Sequence, residues 1–255
     1  MSVPQSVSAS VSVSAPLILS LEVATLATVC TFFLGLALAR SYTREAHFCT
    51  KRSPIRQSIK NVFEVLILAP MVFPPTITGY LLLLLLGPAG PFGSLFAALG
   101  VEILFTKAAA VIASAIVSLP LMYQACKSAL LSVDTQYIFA AQTLGLSNRR
   151  IFWRILVPLA RPGILGGVAL AFARALGEFG ATLMVAGNIP EYTQTLPLAL
   201  YAAVEGGNTT TANIILGIML VLSFGLVILA RLGERRSQKM QRRSHHSAYN
   251  REKQP

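Results

Sequence analysis

The sequence predicts an all-α protein, a polytopic transmembrane helical bundle of about five spans with its N-terminus outside and its C-terminus in the cytoplasm. Three observations predict it. Of 255 residues, 54% are hydrophobic and only 12% charged. The apolar residues gather into runs long enough to cross a bilayer. Nearly all Lys and Arg lie in alternate connections between those runs. A mean hydropathy of +0.64 is far from the balance of a soluble domain. The formal net charge of +11 would suggest nucleic acid if it formed one patch on a soluble fold. Basic residues separated by long apolar runs argue against that partner.

A spanning helix needs about 20 mostly apolar residues. Five segments qualify: residues 16–39, 62–86, 103–123, 163–185 and 212–232, or six spans if an extra short helix is counted. Residues 1–15 form a Ser/Val-rich stretch without Lys or Arg, so the first span lacks the basic leader of a secretory signal peptide. It reads as a retained span behind an external low-complexity segment. Residues 16–232 then make the transmembrane domain and residues 233–255 a basic cytoplasmic tail, solvated and close to anionic lipid head groups.

The connections set the orientation. Arg40, Arg44, Lys51, Arg52, Arg56 and Lys60 lie between the first two spans; Lys127, Arg149, Arg150, Arg154 and Arg161 follow the third; eight more lie from Arg231 onward. The connections at 87–102 and 186–211 carry none. The positive-inside rule places the basic set in the cytoplasm.

Catalytic and metal signatures are absent from the sequence. Cys30, Cys49 and Cys126 are odd in number and widely spaced, and His245 and His246 are adjacent rather than at ligand spacing, so neither a disulfide framework nor a metal site is indicated. No GxxxxGK[ST], HExxH or GxSxG occurs. The chain reads as a non-enzymatic pore subunit, and transport through it needs energy from a second protein or an ion gradient.

Residues 138–163, IFAAQTLGLSNRRIFWRILVPLARPG, form the informative cytoplasmic stretch. Ala140, Ala141 and Leu144 fall on one helical face, Gly145 offers a stop, Ser147 a possible N-cap, and Ile151, Phe152 and Ile155 a second apolar stripe. Two short helices joined at a Gly turn are expected, with Pro158 ending the second and Arg149, Arg150 and Arg154 on its polar side. Read from residues alone, an interfacial amphipathic hairpin resting on lipid head groups is the favoured reading.

The spacing resembles the cytoplasmic EAA loop of ATP-binding-cassette import permeases: an acidic residue, two alanines, three positions, Gly, nine positions, then I-x-L-P. Ala140, Ala141, Gly145, Ile155 and Pro158 match in register, whereas Phe139 replaces the acidic residue and Val157 the leucine. The resemblance implies a type I importer permease fold whose coupling loop, residues 138–158, docks into a cleft of a cytoplasmic ATPase, with Phe139 making an apolar contact. The runs LAPMVFPPTITGYLLLLLLGPAGPFG, SLPLMYQACKSALLSVD and AFARALGEFGATLMVAGNIP are similar to the molybdate branch of that family. They imply a homodimeric inner-membrane pore fed with molybdate or tungstate by an external binding protein and served by two ATPase copies. ATP and Mg would bind the ATPase, with no cofactor in this chain. Sulfate or thiosulfate import is the alternative within the family.

Within the membrane, Pro74 and Pro75 remove two helical hydrogen bonds, and Thr76, Thr78 and Gly79 follow at once. Such a break either lines a substrate path or kinks the helix for packing. Arg174 and Glu178 lie four apart near mid-span, and Thr182 four further on; the charges either belong to the path or neutralise one another as an intrahelical pair. A gradient-driven secondary transporter would call for inverted repeats and acidic relay residues, for which Glu178 is the one candidate.

Overall fold

A computed structural model describes residues 13–48 and 54–228, and among them all regular structure is helical. Residues 1–12, 49–53 and 229–255, which hold most of the external segment and the basic tail, lie outside the described residues. The first span is the longest helix, α1 (Ser14–Phe48). Its apolar stretch continues without a break into a segment carrying Arg40 and Arg44. The hydroxyls of Thr25, Thr28 and Thr43 donate to Leu21 O, Ala24 O and Ala39 O at 2.6, 2.6 and 2.9 Å, satisfying their polarity within their own helix.

The third span, α5 (Lys107–Leu131), starts four residues later than the sequence suggests, because Thr106 caps it and accepts from Ala109 N. Its first residue is a cation. Lys107 Nζ stands 3.6 Å from Glu22 Oε2 on α1, and 20 residues further along, Lys127 Nζ lies 3.7 Å from the Tyr42 ring centroid. Helices α1 and α5 therefore run side by side in the same direction, outer end with outer end, as the charge pattern requires.

The second span is not the continuous helix expected over 62–86. It is two helices, α2 (Pro54–Val72) and α3 (Pro75–Leu86), bent by 118° at Phe73–Pro74. Pro74 and Pro75 have no N–H, and their rings exclude the preceding turn, so the helix restarts in a new direction. The two halves pack against different parts of the bundle. Ile67 and Leu68 of α2 pack into an inner cluster around Met122, Cys126 and Leu130, whereas Leu82, Leu83 and Leu86 pack into an outer one around Ala109, Ala110 and Val185. A short outer helix, α4 (Pro91–Ala98), follows.

The cytoplasmic connection begins with α6 (Thr135–Thr143), capped by Asp134, whose Oδ1 accepts from Gln136 N at 2.9 Å. The expectation for Pro158 is overturned. Helix α7 (Asn148–Ile151) runs through a π turn, Phe152–Leu156, into α8 (Val157–Leu176), so the second helix of the loop and the fourth span are one helical stretch. The wider π turn ends two residues before Pro158, with Val157 N donating to Phe152 O, and widens the helix where Pro158 has no N–H to donate. At its far end the span predicted over 163–185 also breaks, at Gly177–Phe179, and resumes as α9 (Gly180–Ala186). The short helix α10 (Leu196–Glu205) supplies the extra element, and the last span is the 20-residue helix α11 (Thr209–Ile228).

Small residues set the crossing of α5 and α8. A Cβ at Gly163 would lie 2.6 Å from Ala129 Cβ, and one at Gly167 2.5 Å from Ala125 Cβ. Close approach of backbones replaces the hydrophobic force that lipid cannot provide between helices. Large apolar side chains such as Phe33, Val65, Leu165 and Phe224 point outward, the inverse of a soluble protein. Gly167→Leu should lower stability in detergent by about 1–3 kcal/mol through overpacking; Gly217→Leu, where nothing lies within 4 Å, should leave the thermal unfolding midpoint unchanged.

Candidate functional site

The two helix breaks meet. A Cβ on Gly79 would lie 2.8 Å from Ala181 Cα, and one on Gly180 3.0 Å from Pro75 Cβ, so α3 and α9 touch backbone to backbone. Thr76, Pro74 and Pro75 stay exposed at the turn, while Thr78 and Gly79 are buried. Thr78 Oγ1 and, on α9, Thr182 Oγ1 are buried without a hydrogen-bond partner. Thr25, Thr28, Thr31 and Thr43 of α1 donate to their own helix, whereas these two hydroxyls on packed segments, and Thr195 Oγ1 in the outer connection, have no partner.

Arg174 and Glu178 form a pair, with Nη1 donating to Oε2 at 2.7 Å. The other carboxylate oxygen, Glu178 Oε1, accepts from Ala181 N at 2.9 Å and so closes the start of α9. Glu178 is therefore not on the face of a continuous helix with Arg174. It lies beyond Gly177, where α8 ends, and is 2% exposed, while Arg174 is half-buried. A buried carboxylate that receives one guanidinium and one backbone N–H is satisfied without water. The pair neutralises itself and holds the break in shape.

At the cytoplasmic end, Gly145 takes φ +73°, the left-handed conformation that ends α6 and that only glycine adopts without strain. Its N–H donates to Gln142 O, and Leu146 N to Ala141 O. Ser147 occupies the N-cap position of α7 but its side chain makes no cap bond. The expected face of Ala140, Ala141 and Leu144 is split. Ala141 turns inward with Ile138, while Phe139 (61% exposed), Ala140 and Leu144 (81% exposed) project from the protein. Ile151 and Phe152 are buried and Ile155 half-buried, as the stripe predicts; Arg149 and Pro158 are exposed. The result is an apolar ridge on α6 fastened from behind to the inner core.

The family model described as the binding-protein-dependent transport system inner membrane component matches residues 50–239. The chain belongs to that family. It is 41% identical over 222 residues to YvgM of Bacillus subtilis (strain 168), covering 87% of this chain and 93% of that one. Against the molybdenum transport system permease protein ModB of Escherichia coli (strain K12), identity is 37% over 226 residues, covering 86% and 94%. Among solved structures, a chain of the MetNI methionine ABC transporter in an inward-facing conformation superposes with a TM-score of 0.68 at 16% identity, covering 87% of this chain and 94% of that one. The fold is that of type I ABC importer permeases, and the chain is a multi-pass inner-membrane component.

In this transport component the outer connection at 186–211 holds polar residues that sequence reasoning missed. Thr193, Gln194 and Thr195 are buried. Thr193 Oγ1 accepts from Ile189 N at 3.1 Å, Gln194 Nε2 donates to Asn188 Oδ1 at 2.9 Å, and Leu196 N donates to Ser20 Oγ on α1 at 2.7 Å. A threonine-rich loop without basic residues was the available signal. Glu64 and Lys127, which join α2 to α5 as an ion pair near the inner end, were likewise visible only as separate charges. For the break itself, Glu178→Ala should cost about 2–3 kcal/mol, below the range for a fully buried pair because the Arg174 side chain keeps 32% of its surface. Glu178→Gln, which retains an acceptor for Ala181 N, should cost less; thermal unfolding of the two variants in detergent ranks them.

Proposed function

We propose that this chain is the permease subunit of an ABC importer for molybdate, working as a homodimer with two copies of a separate cytoplasmic ATPase and an external molybdate-binding protein. The observation that carries the reading is the extent of similarity to the molybdenum permease. At 86% of the chain, that similarity runs through both broken helices and the cytoplasmic loop. ATP and Mg bind the ATPase, and this chain supplies no cofactor.

The coupling contact is the ridge of Phe139, Ala140 and Leu144, with Gly145 setting the turn and Arg149, Ile155 and Pro158 continuing the loop. Force applied there reaches the membrane through one helical rod, Asn148–Leu176, of 29 residues, about 43 Å long at ~1.5 Å per residue. The rod ends at Gly177, where Glu178 holds α9 and α9 holds α3. Displacing it opens the α3–α9 contact and bares Thr78 and Thr182. Hydroxyls and free backbone groups suit a tetrahedral dianion better than a fixed cation, because transient contacts let the ion leave. Pro74, Pro75, Thr76 and Gly79 give the path its open turn, and Arg174 serves it through Glu178.

In vesicles holding the permease and its ATPase, molybdate uptake should require ATP. Gly145→Asp, which strains the left-handed turn, should abolish uptake while leaving the permease inserted. Persistence of full uptake without any ATPase would sink the reading. Thr78→Val and Thr182→Val keep side-chain shape and should each lower uptake about 10-fold or more, the loss of one hydrogen bond to an anion at about 1.5–3 kcal/mol. An equal concentration of sulfate should leave labelled molybdate uptake nearly unchanged; strong inhibition would favour sulfate or thiosulfate as the cargo.

A further inference from the structure

Where the cytoplasmic extension of α1 meets the start of α7, a cavity of about 170 Å³ opens between Arg40, Arg44, Thr43, Asn148, Arg149 and Phe152. Its floor is buried, formed by Thr43 and Phe152, and its rim carries three guanidinium groups from two different elements. Arg40 is held in place, its Cζ 4.7 Å from the Phe152 ring centroid and 5.9 Å from that of Trp153. No carboxylate among the described residues pairs with any of the three. Glu64 is engaged by Lys127, Glu178 by Arg174 and Glu22 by Lys107, and Asp134 caps α6. Three positive groups around one cavity repel each other until an anion fills it.

We propose that this cavity binds a phosphate group, that of an anionic phospholipid head group at the inner leaflet, and that the bound phosphate clamps α1 to the start of the coupling helix. Guanidinium forks match phosphate oxygens in pairs, which ammonium groups do not. The volume is large enough to admit a phosphate group. Half-exposed Trp153 beside Arg40 marks head-group depth, where aromatic residues concentrate and basic pockets collect acidic lipids. Arg150 and Arg154, exposed on the same helical stretch but outside the cavity, provide the internal control.

The test uses the full chain purified with its ATPase in neutral detergent, with lipid retention read by native mass spectrometry and thermal stability by unfolding. Phosphatidylglycerol should be retained and should raise the unfolding midpoint, whereas phosphatidylcholine should not. Arg44→Gln combined with Arg149→Gln should weaken phosphatidylglycerol retention about 10-fold or more; Arg150→Gln combined with Arg154→Gln should not change it. Each single variant, Arg44→Gln and Arg149→Gln, is measured as well, so that a misfolded double variant leaves the question decidable. Inorganic phosphate at millimolar concentration forms the second arm. If it stabilises the unsubstituted protein but not the Arg44 and Arg149 variants, while phosphatidylglycerol has no effect, the lipid assignment is overturned in favour of a free phosphate ion. Equal retention by cavity and control variants, with no phosphate effect on either, overturns the site altogether.

Discussion

Every backbone polar group inside a bilayer needs a partner within the protein, and this constraint decides the architecture around the two broken spans. Pro74 and Pro75 open one helix and Gly177–Phe179 opens another. The two segments pack on each other beyond their breaks: Gly79 lets α3 close on Ala181, Gly180 makes room for Pro75, and Glu178 closes the start of α9, while Pro74, Pro75 and Thr76 stay exposed at the turn.

The same constraint governs charge. Three ion pairs among the described residues sit at three depths, and their worth differs with solvent. Lys107 and Glu22, both near half exposed at the outer surface, contribute at most about 1 kcal/mol. Lys127 and Glu64, largely buried near the inner end, fasten α2 to the bundle below the bend. Arg174 and Glu178 serve the break itself. Neutral pairing inside the membrane leaves the net positive charge to the cytoplasmic segments, where it orients the protein.

Mechanical continuity links these regions. Gly163 and Gly167 let α8 pack directly on α5, while the π turn carries the helix past Pro158, so the second helix of the loop and the fourth span form one continuous stretch. The apolar ridge on α6 is anchored through Ile138 and Ala141 to the cluster that also holds Ile151, Phe152 and Leu156. Under the proposed coupling, a push on the ridge would reach the break at Gly177 along this stretch.

The number of spans was legible in the sequence, because hydropathy acts through solvent and needs no partner; the placement of Lys and Arg, which acts through solvent too, is what sets the expected orientation and the expected cytoplasmic side of the Ala140–Gly145–Pro158 pattern. Gly145 as a left-handed turn was legible for the same local reason. The 118° bend, the passage of the helix through Pro158 and the split of Ala140 from Ala141 were not. They depend on which neighbour each face meets, and a one-dimensional pattern does not carry that information. Thr78 could be named as a candidate from its place beside the Pro74–Pro75 break, and Thr182 from its place one turn beyond Glu178. Only the tertiary structure decided that α3 and α9 close on one another around them, since that closeness follows from glycine surfaces about a hundred residues apart in the chain.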